Sequence, residues 1–264
     1  MKAVILAGGK GTRLSGFVES IPKPMVQIDR FPILLHVMDI YASQGIKDFV
    51  ILTGHQGHLI REFFFNFWSR FNDFTINLQS GEYNSESVSQ GRDWNVSILD
   101  TGEETMTGGR LLRAKTFLQN DPSFFLTYGD GLANIDLTLL LKHHQEKGTI
   151  ATVTAVSPPG RFGALRMNNG IVEQFMEKPK GDGSYINGGF FVFSNKIFDY
   201  IKGDSTILEQ EPLLKLVEEG MLSSYEHPGF WQCMDTPRDV ELIRQLASSY
   251  PLPWFVNESQ TIEK

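Results

Sequence analysis

The chain is expected to fold as an α/β protein on a doubly wound, mostly parallel sheet, with a smaller β-rich layer carried by its second half. Three observations predict this. Apolar runs that suit buried strands alternate with stretches of helical periodicity over residues 1–149, as in sheets covered on both faces. The first run, Ala3-Val4-Ile5-Leu6, breaks directly into Gly8-Gly9-Lys10-Gly11, a turn whose glycines let backbone N–H groups face a ligand. After Ile150 the alternation gives way to consecutive strands.

The elements follow in order. Leu34, Leu35, Met38, Tyr41 and Ala42 make a helical stripe over 32–44, which Gly45 is placed to end. A strand is expected at 48–52, a helix at 57–68, and strands at 74–79 and 95–100. The aromatic run at 63–68 reads as part of one core helix. The polar stretch 81–93 lacks a core pattern and reads as a mobile surface loop. Gly108-Gly109-Arg110 opens a helix to Phe117, and the strand at 124–128 stops at Gly129-Asp130-Gly131. A helix follows at 137–144, where His143 and His144 point to different sides and read as helix surface and edge rather than metal ligands. A strand at 150–156, a hairpin of 163–167 with 171–175 and a strand at 185–193 form the β-rich part. Residues 196–221 read as mostly helical, 222–226 and 230–234 as strands, and Asp235-Thr236 opens the last helix.

At 264 residues with no Pro/Ser-rich linker, the chain is expected to be one domain over 1–250, with 1–149 and 150–235 as its two parts and 251–264 a tail. The formal net charge of −7, with both signs dispersed, disfavours general nucleic-acid binding and polybasic membrane attachment, so anionic ligands need local basic clusters. The single cysteine, Cys233, has no internal disulfide partner. No window approaches the roughly 20 apolar residues of a membrane span, and the short N-terminal run is no signal peptide, so the cytoplasm is the expected location.

Several residues carry chemistry. Arg13 and Lys23 add charge to the glycine turn, and Pro22 and Pro24 are expected to hold Lys23 on a stiff extended segment as a fixed charge. The glycine spacing is neither the dinucleotide G-x-G-x-x-G nor a Walker sequence. Asp130, between glycines at a strand's carboxyl end, should face the same crevice as the first loop. Asp235 stands where a helix N-cap or a ligand would stand. Asn187-Gly188-Gly189 offers polar groups for a ligand, with a plain strand turn as the bland alternative.

Gly8 to Leu14, Pro22-Lys23-Pro24-Met25, Gly129-Asp130-Gly131, Glu177-Lys178-Pro179 and Asp235-Thr236, in this order, resemble the sugar-1-phosphate nucleotidylyltransferases from residue 1 to about residue 250. Further stretches are similar to the subgroup that uses CTP and glucose 1-phosphate: Met106-Thr107-Gly108-Gly109-Arg110, Arg161-Phe162-Gly163, Ile186-Asn187-Gly188-Gly189, Glu209-Gln210-Glu211-Pro212 and Phe230-Trp231-Gln232. Lys10, where that subgroup is expected to be apolar, and Ile21, two before Lys23, depart from it.

The resemblance implies a Rossmann-like nucleotidyltransferase fold, Mg²⁺ as cofactor, CTP and a sugar 1-phosphate as substrates, and a homo-oligomer, with a hexamer as one form. It implies Lys23 at the α-phosphate and transition state, and Arg13 with the backbone of Gly8, Gly9, Gly11 and Thr12 at the leaving phosphates. Leu6, Thr107, Gly108, Arg110 and Asp130 complete the nucleotide site, with Arg110 reading the base and Arg113 as its rival. Gly163, Glu177, Lys178, Asn187 and Gly188 are implied at the sugar phosphate, and Asp130 with Asp235 at the metal. Trp231, Trp254 and the phenylalanines at 63–67 read as core. Other readings are a nucleotidyltransferase using CTP or UTP on another phosphorylated substrate, a non-catalytic sugar-nucleotide-binding subunit and a nicotinamide-dependent oxidoreductase. The glycine spacing disfavours the last.

Overall fold

The computed structural model describes residues 1–11, 21–85, 91–158, 164–168, 171–176 and 185–256. Its strands include β1 (Ala3–Ala7), β2 (Asp48–Thr53), β3 (Asn95–Asp100), β4 (Ser123–Tyr128), β5 (Gly131–Ala133), β6 (Ala151–Val156), β7 (Ile186–Ser194), β8 (Leu222–His227) and β9 (Trp231–Cys233). The main helices are α1 (Ile33–Ala42), α2 (Gly57–Phe65), α3 (Thr107–Arg113), α4 (Leu137–Lys147), α5 (Glu211–Glu218) and α6 (Pro237–Ala247).

Seven strands form one sheet in the order β8-β6-β7-β4-β1-β2-β3. The β1–β2, β1–β4, β2–β3 and β6–β8 pairs are parallel, and only β7 runs against its neighbours β4 and β6. Alternation along each strand explains why both faces are covered. Ala3, Ile5 and Ala7 of β1 face a core shared with α1, α4 and α6, whereas Val4 and Leu6 face a second core with α3 and α5. Phe125 and Phe190 belong to the first core and Phe124, Phe191 and Phe193 to the second, all at 1% exposure or less. Each such ring stabilises the fold by about 1.5–3 kcal/mol relative to exposure. This is the doubly wound architecture, and it brings the carboxyl ends of β1, β2, β3 and β4 to one edge.

The structure departs from the sequence reading in four places. The strands β6 and β7 do not stand apart as a layer; they extend the central sheet, because β7 pairs with β4 along Phe190–Ser194. The smaller sheets of the second half are the hairpin of Ala164–Asn168 with Ile171–Met176 and the β5–β9 ribbon. The strand at 74–79 shortens to Phe74–Ile76 and pairs with Tyr83–Ser85 outside the central sheet; all three of its residues are exposed, so no core face holds it there. The aromatic run is not one core helix: it breaks at Asn66 into α2 and Phe67–Phe71, and Phe65 is 90% exposed while Phe63 is buried. The 81–93 stretch is tied at its far end, where Arg92 pairs with Asp39 and lies 4.4 Å over the Trp94 ring; residues 86–90 lie outside the described part.

His144, expected at the surface or edge of its helix, is buried instead, with Nδ1 2.8 Å from Thr152 Oγ1, a packed core histidine. Among the described residues no helix is long and apolar enough to cross a membrane.

Candidate active site

A cleft of roughly 1120 Å³ opens at the carboxyl edge of the sheet. Leu6 to Gly11, Lys23, Thr107, Arg110, Tyr128, Asp130, Asn187, Gly188, Trp231 and Asp235 all line it. Most of the described sequence-predicted site residues therefore meet in one place. Thr12, Arg13, Gly163, Glu177 and Lys178, together with the neighbouring Lys180, lie outside the described residues.

Lys23 is at the centre of the charged part. It opens a short 3₁₀ turn, Lys23–Met25, rather than lying on an extended segment. Pro22 supplies the extended entry (φ −67°, ψ 145°) and its carbonyl accepts from Met25 N at 2.8 Å, while the Pro24 and Met25 side chains are buried. The backbone under Lys23 is thereby pinned. Its ammonium lies 2.5 Å from Asp130 Oδ2 and 2.6 Å from Asp235 Oδ1, so two carboxylates 105 residues apart (235 − 130) converge on one cation. Burial alone lowers the lysine pKa; Asp130 and then Asp235 outweigh it and hold the group above the ordinary lysine value, fully protonated.

Asp235 is not the cap of the last helix. Thr236 is, accepting from Asp239 N at 3.3 Å and donating its own N–H to Asp239 Oδ2 at 2.8 Å in a capping box. That arrangement leaves the Asp235 carboxylate directed at Lys23. Cys233, 3.7 Å from Asp235 Oδ2, has its thiol pushed up to about 12, by burial first and then by Asp235, and is no nucleophile at neutral pH.

Arg110 behaves differently. It is 5% exposed and donates to five acceptors: from Nη1 to Thr53 O (3.0 Å), Thr101 Oγ1 (2.7 Å) and Gly102 O (2.7 Å), and from Nη2 to Gly8 O (3.0 Å) and Glu103 O (3.1 Å). It ties together the loops that leave β1, β2 and β3. A Cβ on Gly8 or on Gly54 would collide with its guanidinium, which is why those two positions are glycine. Gly108 does not line the cleft: it is buried, its N–H donates to Thr206 O at 2.9 Å, and a Cβ there would stand 2.8 Å from that oxygen. Gly108 and Gly109 let helix α3 approach the 203–206 loop and not a ligand ring. Arg113, the rival for the base, is paired with Asp204 at 2.5 Å and is absent from the cleft lining. Lys10 reaches across the mouth to Glu104 at 2.6 Å, an exposed pair.

On the other side, Asn187-Gly188-Gly189 lies within β7 and is no turn. Asn187 Oδ1 accepts from Gly189 N at 2.8 Å, and Trp231, expected in the core, is half-buried and donates its Nε1 to Gly188 O at 2.7 Å. Trp254 is a core residue, fully buried. Tyr128 and the Glu209 behind it escaped the sequence reading; Glu209 stood within a recognised motif but nothing local gave it a partner.

Two carboxylates that share one cation at 2.5 and 2.6 Å also suit Mg²⁺, which is usually held by one or two carboxylates together with phosphate and water oxygens. Among the described residues no group of three or more His, Cys, Asp and Glu side chains could hold a metal unaided, so a nucleotide would have to complete the set.

Comparison with known proteins gives this site its class. Residues 2–232 match the Nucleotidyl transferase family, and the chain belongs to that family. A glucose-1-phosphate cytidylyltransferase of Salmonella typhimurium is 48% identical over 256 residues, covering 96% of this chain and 98% of the relative. In fold the chain is similar to HddC of Yersinia pseudotuberculosis, solved with GMP-PN, with a TM-score of 0.68 at 21% identity over 92% of this chain and 98% of that one. The inositol-1-phosphate CTP transferase of T. maritima is similar at a TM-score of 0.63 and 17% identity, over 94% and 96% of the two chains. The protein is a nucleotidyltransferase with an α/β fold on a mostly parallel central sheet.

Proposed function

We propose that the chain transfers the cytidylyl group of CTP to α-D-glucose 1-phosphate, forming CDP-glucose and pyrophosphate. The observation that carries this reading is Lys23 seated between Asp130 and Asp235 beside the glycine loop in one cleft, in a chain nearly half identical to a cytidylyltransferase along its whole length. The nucleophile is a phosphate oxygen that arrives ionised, so the reaction needs no general base. It forms the new O–P bond at the α-phosphorus as the bond to pyrophosphate breaks in line. The difficulty is repulsion between two polyanions, and cations placed where charge develops are the remedy.

Lys23 takes the α-phosphate and the transition state. The Gly9 and Gly11 backbone cradles the leaving phosphates, with Thr12 and Arg13 in the roles their motif implies. Lys178 serves the sugar phosphate on the same ground, and Gly163, Glu177, Asn187 and Gly188 the sugar. Asp130 and Asp235 would hold Mg²⁺, which when bound neutralises charge on the phosphate oxygens. Such an ion would compete with Lys23 for these carboxylates, and the ammonium would be within reach of an α-phosphate beside them. Arg110 reads the base only by exchange. Cytosine O2 and N3 would replace the Gly102 and Glu103 carbonyls, the two acceptors on the most open loop, whereas the N3–H of uracil offers a donor to a donor. A homo-oligomer fits the exposed Phe65, Leu78 and Tyr83, at 90%, 89% and 64%.

The test is a pyrophosphate-release assay crossing four nucleoside triphosphates with several sugar 1-phosphates, with and without Mg²⁺. The largest kcat/KM is expected for CTP with glucose 1-phosphate and Mg²⁺. A preference for UTP or for another phosphorylated acceptor would replace this reading with its nearest rival. No turnover with any pair would favour a binding subunit, a reading against which the intact Lys23, Asp130 and Asp235 set already argues.

A further inference from the structure

Glu209 sits just before α5, 81 residues from Tyr128 in sequence, and neither residue has a role so far. Both carboxylate oxygens of Glu209 are taken: Oε1 accepts from the Tyr128 hydroxyl at 2.6 Å and Oε2 from Thr107 Oγ1 at 2.6 Å. Thr107 Oγ1 in turn accepts from Leu208 N at 2.9 Å, which fixes the carboxylate on the frame of α3 and the 203–208 loop. Tyr128 ends β4 next to Gly129-Asp130, and its ring lies on β7, so closely that a Cβ on Gly189 would be 2.6 Å from Cδ2. Its hydroxyl therefore stands at the Asn187 side of the cleft, with Asn187 Nδ2 3.5 Å away, at the limit of hydrogen-bond range.

The direction of the hydrogen bond decides what this hydroxyl can recognise. A carboxylate can only accept, and the Tyr128 Oη lies 2.6 Å from Glu209 Oε1 while Oε2 is taken by Thr107, so the phenol is the donor. That proton is committed to Glu209. What remains toward the cleft is lone pairs alone, and a group that can only accept takes a donor such as an alcohol O–H and gives nothing to a phosphate or an ether oxygen.

We propose that Tyr128 is a specificity-determining residue whose hydroxyl accepts a hydrogen bond from one hydroxyl of the acceptor sugar, and that Glu209 is the positioning residue that fixes the direction of that bond. The inference rests on the proposed transfer to a sugar 1-phosphate. It assigns the hydroxyl to the sugar and not to the ribose because the Tyr128 ring packs on the β7 strand that carries Asn187, the residue that reading gives to the sugar. Glu209 itself does not line the cleft. It acts through Tyr128.

Steady-state pyrophosphate release would be measured for the wild type, Tyr128→Phe, Glu209→Gln and the double variant, with glucose 1-phosphate and its four monodeoxy analogues, alongside melting curves. Losing one ligand hydrogen bond changes binding by about tenfold. Tyr128→Phe is expected to raise KM for glucose 1-phosphate by that factor, leave KM for CTP and the melting temperature near wild type, and erase discrimination against one deoxy analogue. Glu209→Gln should show the same selectivity loss and add nothing in the Tyr128→Phe background. The inference is overturned if KM for CTP rises in place of that for the sugar, if Tyr128→Phe discriminates among the deoxy sugars as the wild type does, or if the two losses multiply. A wild type inactive with every sugar 1-phosphate would remove the proposed function and this inference with it, whereas an active wild type with an unaltered Tyr128→Phe removes this inference alone.

Discussion

Arg110 and Lys23 line the same cleft and are both held by several partners, yet the two arrangements are opposites. Arg110, 5% exposed, donates to five neutral acceptors fixed in three loops, so moving it would strip donors from several carbonyls together. Lys23, with a side chain 14% exposed, meets two carboxylates at 25% and 28%. Both of these partners are anions, unlike the neutral groups that hold Arg110. A divalent cation bound there would compete with the ammonium for the two carboxylates. A cation held by neutral dipoles is scaffold; one held by exchangeable carboxylates is available for chemistry. Both kinds of cation line the cleft, Arg110 bonded to the carbonyl of Gly8 and Lys23 seated between two carboxylates.

The sharpest way to break this comparison is Lys23→Ala. Removing one charge aimed at a transition state lowers kcat by about 10²–10³. CTP affinity should change far less, and near-normal turnover at saturating substrates would take the transition state away from Lys23. The metal-free variant should also melt lower than the wild type, because Asp130 and Asp235 then face each other without the lysine between them, and Mg²⁺ alone should restore most of that loss. Asp130→Asn, tested against a Mg²⁺ series, should lose the metal response while keeping its melting temperature; a matched collapse of both would make the aspartate structural.

Arg110→Ala should show the reverse pattern. Carbonyls of Gly8, Thr53 and Gly102 lose donors in buried or half-buried sites, at about 1–3 kcal/mol for each left unsatisfied. The melting temperature is expected to fall more than for Lys23→Ala. Arg110→Lys should not rescue it, since one ammonium with three donors cannot span five acceptors in three loops. The CTP/UTP ratio is the second readout: a stable variant with an unchanged ratio would remove Arg110 from base recognition, and a variant that melts like the wild type would remove the clamp.

The framework was legible where the signal was local. Alternating apolar runs located β1, β2, β3 and β4, and the glycine breaks after β1 and β4 placed the cleft. Asp130 and Asp235 were legible as neighbours only through motif order, since no local pattern brings together groups whose meeting depends on the register of β5 with β9, Gly131 opposite Cys233. The same reason hides Glu209 behind Tyr128. Arg110 was placed in the cleft correctly, but its donors were expected to face a ligand; acceptors on three other loops are invisible in the chain. Thr236 could have been read as the cap from the Asp239 three residues on, a capping-box spacing with Asp in the usual Glu position. The strand at 74–79 failed because β propensity without a buried face does not place a strand in the central sheet.

The smallest expected effect separates the two regions by pH. His36, His144 and His227 lie in the framework, each buried with its pKa held below the ordinary histidine value, mainly by desolvation. For His36 the Ile28 carbonyl and, more weakly, Asp39 and Asp29 pull the other way, and Arg92 reinforces the lowering. Because these imidazoles stay neutral when folded, the unfolded chain binds more protons once the pH drops below about 6.5, so stability rises with pH up to there and is lost on acidification. Asp39, held above the usual carboxylate range by burial despite Arg92, works in the opposite sense, favouring the fold as it takes up its proton. Lys23 keeps its proton throughout this window. The melting temperature should therefore be flat from pH 7.5 to about 6.5 and fall by a few degrees toward pH 5.5, equally in the wild type and in Lys23→Ala. A shallower fall in Lys23→Ala would mean that the two carboxylates, once their lysine is gone, take up protons in this window and offset the histidines, and the framework and the cluster would then not be separable by pH.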